Sequence, residues 1–174
     1  MQRILILICG ATLGACTANT ASESNTAAVQ WDSAGANEAR AAVERGVNAF
    51  SNMDIEGLRS VLATEGFTTS YDLDLENKPL RLATRDEAIK YAETTFAEVK
   101  KLNITPKIVI KNLDCRAASG LSYCVLEHDF VATMPDGKAM TQSYQATFAL
   151  TKEADGWKWM HFHTSPAAAA PAAK

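Results

Sequence analysis

The sequence predicts an α+β protein in which three helices precede an antiparallel sheet of four strands. Up to about residue 103 the apolar residues recur at a spacing of about 3.6, which is typical of helices that bury one face. From Ile104 onward the spacing changes to about 2, and turn-forming residues at 119–120, 135–137 and 155–156 separate four runs. Helices followed by hairpin-connected strands favour a layer of helices on one face of a sheet.

Each of the three helices has its own local signals. The apolar face of helix 1 consists of Ala39, Ala42, Val43, Val47 and Phe50. Helix 2 starts after Asp54, a residue type favoured at helix N-caps, and Gly66 is expected to end it. Helix 3 starts at a capping box formed by Thr84 and Glu87, and two lysines at 100–101 suit the negative end of its dipole.

The N-terminus is typical of a bacterial lipoprotein signal. Arg3 precedes an apolar run at 4–14, and a Leu-Gly-Ala-Cys cleavage box follows at 13–16. The run is about half of the roughly 20 residues that a membrane-spanning helix needs. We therefore expect cleavage before Cys16, acylation of that cysteine, and a chain held in the cell envelope by lipid only, facing the periplasm. A plain secretory signal is the alternative.

Composition divides the chain into four parts. Residues 1–15 form the predicted signal peptide, and residues 35–165 the predicted folded domain. Residues 16–34 are rich in small and polar types, and residues 166–174 are almost all Ala and Pro, so we expect a disordered tether and a disordered tail.

Charge and motifs exclude several function classes. The formal net charge is -3, and acidic residues are interspersed among basic ones without a basic stripe, so we expect no nucleic-acid partner. The sequence contains no serine-hydrolase elbow, phosphate-binding loop, dinucleotide fingerprint or zinc-protease motif. We predict no cofactor.

Two stretches resemble the NTF2-like, or SnoaL-like, superfamily. Residues 52–58, followed by Tyr71 and Asp72, are similar to its first two helices. Residues 155–165 are similar to the last strand of SnoaL-like proteins and of the hub domain of calmodulin-dependent kinase, and the match in element order covers 36–165. The resemblance implies a cystatin-like cone of three helices wrapped by a curved sheet, with a pocket at the open end. Because the family includes isomerases, cyclases, dehydratases, ligand binders and assembly modules, the fold does not choose a function.

The ketosteroid isomerase branch of this family suggests one candidate base. Its mechanism needs a carboxylate base and an oxyanion hole made by a Tyr and a protonated Asp. Asp72 falls close to the position of the base, but Gly46 stands where that branch has its Tyr, and residues 144–148 offer no second Asp. A turn or strand-end role for Asp72 is the alternative interpretation.

The turn at 119–120 predicts the register of the first hairpin. Centred there, Cys115 faces Cys124, and an oxidising compartment would favour a disulfide between them; free buried thiols are the alternative. The same register turns Glu127 and Asp129 toward the helices, where burial would raise their pKa as acid and base catalysts require. The alternatives are carboxylates at an open rim or a bulge that reverses the register.

The last strand carries two imidazoles. His161 and His163 are two residues apart, so we expect both on one strand face beside Trp159. This spacing suits zinc or a ligand carboxylate, but a third metal ligand is missing from any clear motif, and we predict no metal site. The predicted pocket is lined by Tyr71, Asp72, Glu127, Asp129, Tyr144, Trp159, His161 and His163.

Three functions are compatible with these residues, which do not decide whether the protein is an enzyme. The first is a lipid-anchored domain that binds a small apolar or amphipathic molecule in its cone. The second is an isomerase-type enzyme with Asp72 or Asp129 as base and His161 or Tyr144 stabilising charge. The third is an assembly module that pairs through a convex apolar patch of Val109, Leu113, Leu126 and Phe130. We expect a homodimer, which is compatible with all three functions.

Overall fold

The computed structural model describes residues 29–72 and 78–167. The predicted signal peptide, most of the tether and most of the tail lie outside these ranges and stay predictions. The described elements are α1 (Ser33–Ser51), α2 (Ile55–Val61), β1 (Thr68–Tyr71), β2 (Leu80–Leu82), α3 (Arg85–Lys101), β3 (Thr105–Ala118), β4 (Leu121–Thr133), β5 (Ala139–Glu153) and β6 (Gly156–Pro166). No helix in these ranges is long and apolar enough to cross a membrane.

The three predicted helices are confirmed, and side-chain caps start each of them. The carboxylates of Asp32 and Asp54 accept the backbone N–H of the third residue along, each at 2.9 Å. Thr84 caps α3 in the same way, and Glu87 accepts the N–H of Ala83 at 2.8 Å. α2 is shorter than predicted, because it ends at Val61 rather than near the glycine at 66.

The sheet has six strands in the order β2-β1-β6-β5-β4-β3. The predicted four-stranded meander is confirmed as β3 to β6. The sequence did not predict β1 and β2, and β1 runs parallel to β6, so the sheet is mixed rather than purely antiparallel. Four and three residues are too few to show a period of 2.

Two register shifts decide which side chains face the helices. One lies between Ile110 and Asn112 of β3, and the other follows Ala149 in the pairing of β5 with β6. Each adds one residue to a strand, so the side chains beyond it change faces. Bulges also bend strands, which helps the sheet to curve around the helices.

The core lies between the helices and the concave face of the sheet. Its most deeply buried large side chains are Val43, Val61, Phe67, Leu126 and Leu150. α1 also covers the edge strand β3, because the N–H of Asp32 donates to Ala117 O at 2.8 Å and the Arg40 guanidinium donates to Leu113 O.

The predicted disulfide is confirmed. Cys115 and Cys124 are direct cross-strand partners, their Cα atoms lie 4.1 Å apart, and their sulfurs are bonded. Cys124 is fully buried, so the bridge forms part of the concave wall.

Candidate ligand cavity

The cone contains a cavity of about 220 Å³ that is partly open to the surface. All three helices and strands β1 and β3 to β6 contribute to its wall. The wall is mainly apolar, and typical members are Val47, Phe50, Ile89, Leu126, Phe148 and Phe162.

Two buried polar atoms of residues in this wall have no hydrogen-bond partner within the described part of the chain. They are Nδ1 of His128 and Nε1 of Trp159, whose residues are 7% and 5% exposed. Leaving such a group unpaired costs about 1–3 kcal/mol, so native structures rarely do so without a reason. Both residues line the cavity, so a polar group placed there is a candidate partner for these nitrogens.

The Trp159 indole is held in one place by its neighbours. Its ring centroid lies 4.8 Å from that of Phe148 and 5.6 Å from that of Phe162. The indole also packs against Gly46, where a Cβ would come within 2.2 Å of the indole Cζ2. The space at position 46, where the resemblance to ketosteroid isomerase placed a Tyr, is thus filled by the indole.

The His128 ring stacks on Tyr144, with ring centroids 5.7 Å apart and planes 19° apart. Burial lowers the pKa of His128, and the neighbouring Asp129 charge opposes that shift only in part. At neutral pH the ring is therefore neutral, with one nitrogen as donor and the other as acceptor.

We expect the stability of the protein to depend on pH through His128. Its folded pKa lies below the unfolded value of about 6.5, so the unfolded state binds the proton more readily. The free energy of unfolding should therefore rise as pH increases through about 6.5, and His128→Gln should remove this contribution. Urea unfolding between pH 5 and 8 measures it. His161→Gln, on the opposite face, is the control, and equal pH profiles for wild type and His128→Gln would contradict the expectation.

The rest of the cavity wall is uncharged. Burial raises the pKa of the Tyr71 hydroxyl, and the nearby Tyr91 raises it further, so Tyr71 stays protonated. None of the described lining residues is Asp, Glu, Lys or Arg. An ionised ligand group would find no counter-charge among them.

The structure brings Tyr71, Tyr144 and Trp159 to the cavity wall, as the sequence predicted. Their role in binding stays a prediction. His128 was expected on the face opposite the isoleucines of β3, but it pairs with Ile110 and faces the cavity. Only the bulge, which the sequence left open as an alternative, could have signalled this.

Glu127 and Asp129 do not point toward the helices, and that prediction is wrong. The bulge in β3 puts Ile110 opposite His128 rather than Asp129, so the two carboxylates lie on the other, convex face of β4. There Asp129 forms an ion pair with Lys111 at 2.6 Å and accepts a hydrogen bond from Ser143 Oγ at 2.6 Å. The hydrogen bonds from Lys111 and Ser143 hold the pKa of Asp129 below its usual range, the opposite of the predicted shift.

His161, His163 and Asp72 also lie outside the cavity, contrary to prediction. The second register shift places Trp159 opposite Leu150 but His161 opposite Ala149, so the indole and the imidazoles occupy opposite faces. His161 Nδ1 lies 2.8 Å from Thr68 Oγ1, and His163 Nε2 lies 2.8 Å from Asp72 Oδ1. These contacts join β6 to β1. In the described ranges no cluster of three or more His, Cys, Asp or Glu could hold a metal ion.

The predicted convex apolar patch is also absent. Leu113 and Leu126 are 3% and 1% exposed in the core, and Phe130 lines the cavity. Only Val109 remains on the convex face, beside Lys111 and Asp129.

Three helices on a curved six-stranded mixed sheet around an apolar cavity define an NTF2-like, cystatin-like α+β fold. The chain belongs to the SnoaL-like domain family, whose model matches residues 39–169.

Several solved structures are similar to this chain. One is a protein of the NTF2-like family from Streptomyces avermitilis, with 17% identity, a TM-score of 0.67, and 79% of this chain and 100% of that chain covered. Another is an NTF2-like protein from Novosphingobium aromaticivorans, with 9% identity, a TM-score of 0.65, and 80% and 86% covered. A third is a ketosteroid isomerase-like protein from Erwinia carotovora atroseptica, with 17% identity, a TM-score of 0.60, and 79% and 100% covered. At these identities the likeness establishes the fold and leaves the function open. A search of the curated proteins finds no match.

Proposed function

We propose that the cone binds one small, uncharged, mainly apolar molecule whose polar group hydrogen-bonds to Trp159 and His128. The observation that carries the proposal is the pair of buried, unpartnered nitrogens in one cavity wall. Leaving the two nitrogens unpaired is unfavourable, and a hydrogen bond to a ligand or an ordered water would remove that cost.

The cavity limits the size of this molecule. At about 220 Å³ it exceeds the engineered 150 Å³ protein cavity that holds benzene. It is smaller than the roughly 300–1,000 Å³ of sites for drug-sized ligands. A compact molecule somewhat larger than one aromatic ring fits these bounds.

The chemistry of the two nitrogens limits the polar group. An indole N–H only donates, so Trp159 requires an acceptor such as a carbonyl oxygen. The neutral His128 ring can donate or accept at Nδ1, depending on its tautomer. A carbonyl or hydroxyl compound satisfies both, whereas a carboxylate or an amine would be desolvated without a counter-charge.

Binding is favoured here over an isomerase-type reaction. The two candidate bases, Asp72 and Asp129, lie outside the cavity wall, and each is engaged on the convex face by a cationic or imidazole side chain. A base must come within hydrogen-bond reach of the proton that it removes. We therefore assign no reaction to the cone.

The proposal places this cone outside the cytoplasm, held to a membrane through acylated Cys16. It is supported by the cleavage box at 13–16 and by the Cys115–Cys124 disulfide, which is typical of oxidising compartments. Two or more acyl chains are needed for stable anchoring.

Native mass spectrometry of the full chain, purified from a bacterial envelope extract, tests both parts. We expect acyl mass on Cys16 and a small-molecule adduct at one per chain. The adduct is then identified, and its affinity is measured by calorimetry.

Trp159→Phe keeps an aromatic ring but removes the N–H, and His128→Gln removes the imidazole. Each should weaken binding roughly 3- to 10-fold, as loss of one hydrogen bond predicts. Asp129→Asn and His163→Gln alter polar residues outside the cavity and should leave affinity unchanged. Unchanged affinity in both cavity variants would contradict the proposed site, whatever the state of Cys16.

A further inference from the structure

Exposed aromatic and apolar side chains gather at the turn end of the β3–β4 hairpin. Trp31, Leu121 and Tyr123 are 59%, 56% and 54% exposed. The Arg116 guanidinium lies 5.8 Å from the Trp31 ring centroid, and Tyr123 is the direct cross-strand partner of Arg116. Leu121 and Tyr123, two residues apart on β4, share a face. We call these four residues the hairpin patch.

The hairpin patch is separate from the other exposed apolar residues of β3. Val109 lies on the same strand as Arg116 but seven residues away, roughly 23 Å at 3.3 Å per residue. No described segment covers the patch, since three of its four side chains are more than half exposed. Such a surface calls for an external partner.

Its composition and its place both point to a lipid surface. Trp and Tyr concentrate at membrane interfaces, where the ring is apolar and the N–H or O–H is wet, and Arg can pair with phosphate oxygens there. Trp31 follows Cys16 by 15 residues, a length of chain that spans at most roughly 50 Å. The patch therefore lies at the end of the domain where the chain comes from the proposed anchor.

We propose that the hairpin patch docks on the membrane that carries the anchor, with Trp31, Leu121 and Tyr123 in the interface and Arg116 at lipid phosphates. The choice of this membrane rests on the proposed acylation of Cys16, whereas the lipid-binding chemistry of the four side chains does not. His128 lies five residues beyond Tyr123 on β4, roughly 17 Å away, so docking holds the cavity away from the lipid. The ligand then reaches the cone from the aqueous side.

Tryptophan fluorescence tests the docking directly. All three tryptophans lie in the described ranges, and Trp157 and Trp159 are only 4% and 5% exposed, so Trp31 is the one open to lipid. In a chain that begins at Cys16, that cysteine is the single free thiol because the other two form the disulfide. It is coupled to a maleimide lipid in vesicles of phosphatidylethanolamine and phosphatidylglycerol that contain brominated lipids.

The synthetic anchor makes the docking test independent of acylation in cells, which is measured separately from the mass of Cys16. We expect bromolipids to quench at least half of the Trp31 emission. The double variant Leu121→Ser/Tyr123→Ser should reduce that quenching at least threefold. Met140→Ser is the matched control, because Met140 is 66% exposed at the opposite end of the β4–β5 pair. Bromolipids should quench its Trp31 emission as much as that of wild type.

Equal quenching in wild type and the double variant, or none in either, overturns the proposal. Light scattering of the same proteins without vesicles measures their oligomeric state and provides a second test. If the double variant converts a wild-type dimer to a monomer, the patch joins two copies of the chain and does not dock on lipid.

Discussion

Gly46→Ala lowers the stability of the protein, although alanine normally stabilises a helix interior by up to about 1 kcal/mol relative to glycine. The new Cβ would lie 2.2 Å from Cζ2 and 2.4 Å from Cη2 of the Trp159 indole. The indole cannot retreat easily, because Phe148 and Phe162 pack against it. Overpacking of this kind costs about 1–3 kcal/mol, so the net change should be a loss measured by urea unfolding.

A matched substitution on the same helix provides the control. Asn37 is exposed on α1, and Asn37→Ala should raise stability slightly through helix propensity alone. Gly46→Ala should also weaken ligand binding, because the displaced indole enters the cavity. A Gly46→Ala protein at least as stable as wild type would show that the space above Gly46 is not filled as described.

Removal of the disulfide is expected to have the other large effect. Closing a loop with a sequence separation of nine residues stabilises the folded state by about 2–3 kcal/mol on the chain-entropy account. The double variant Cys115→Ala/Cys124→Ala should lose this amount, measured as a lower free energy of unfolding. Alanine is chosen because Cys124 is fully buried and a serine hydroxyl there would be desolvated.

Reductant is the internal control for this experiment. It should lower the stability of wild type to about that of the double variant and leave the double variant unchanged. If reductant destabilises both proteins equally, the bridge is not the source of the effect. No other cysteine needs to be replaced, because Cys9 lies in the predicted signal peptide and Cys16 is the predicted lipid attachment site.

Much of the fold could be predicted because its signals are local. Asp54 and Thr84 cap helices through backbone groups only three residues away, so their effect is visible in a short window of sequence. The pairing of Cys115 with Cys124 follows from a tight turn between them, because few residues separate the turn from the pair. β1 was missed since its main partner, β6, is distant in sequence.

The candidate site was predicted only in part, for a different reason. A single extra residue in β3 next to Ile110 reverses the faces of that strand, so the isoleucines share a face with His128 and not with Asp129. The second shift did the same for Trp159 and His161. Neither bulge has a glycine or proline beside it in the sequence to signal it.

The sequence by itself determined the three helices, the four-stranded meander, the disulfide pair and the SnoaL-like family of this chain. These features depend on periodicity, caps and turns, whose physical causes act over a few residues. Only the tertiary structure decided which side chains enter the cone, because strand faces follow from register and register depends on distant partners. The contact between Gly46 and Trp159 also depends on the tertiary structure. The sequence shows a glycine on a helix, but only the fold shows that a distant indole packs against it.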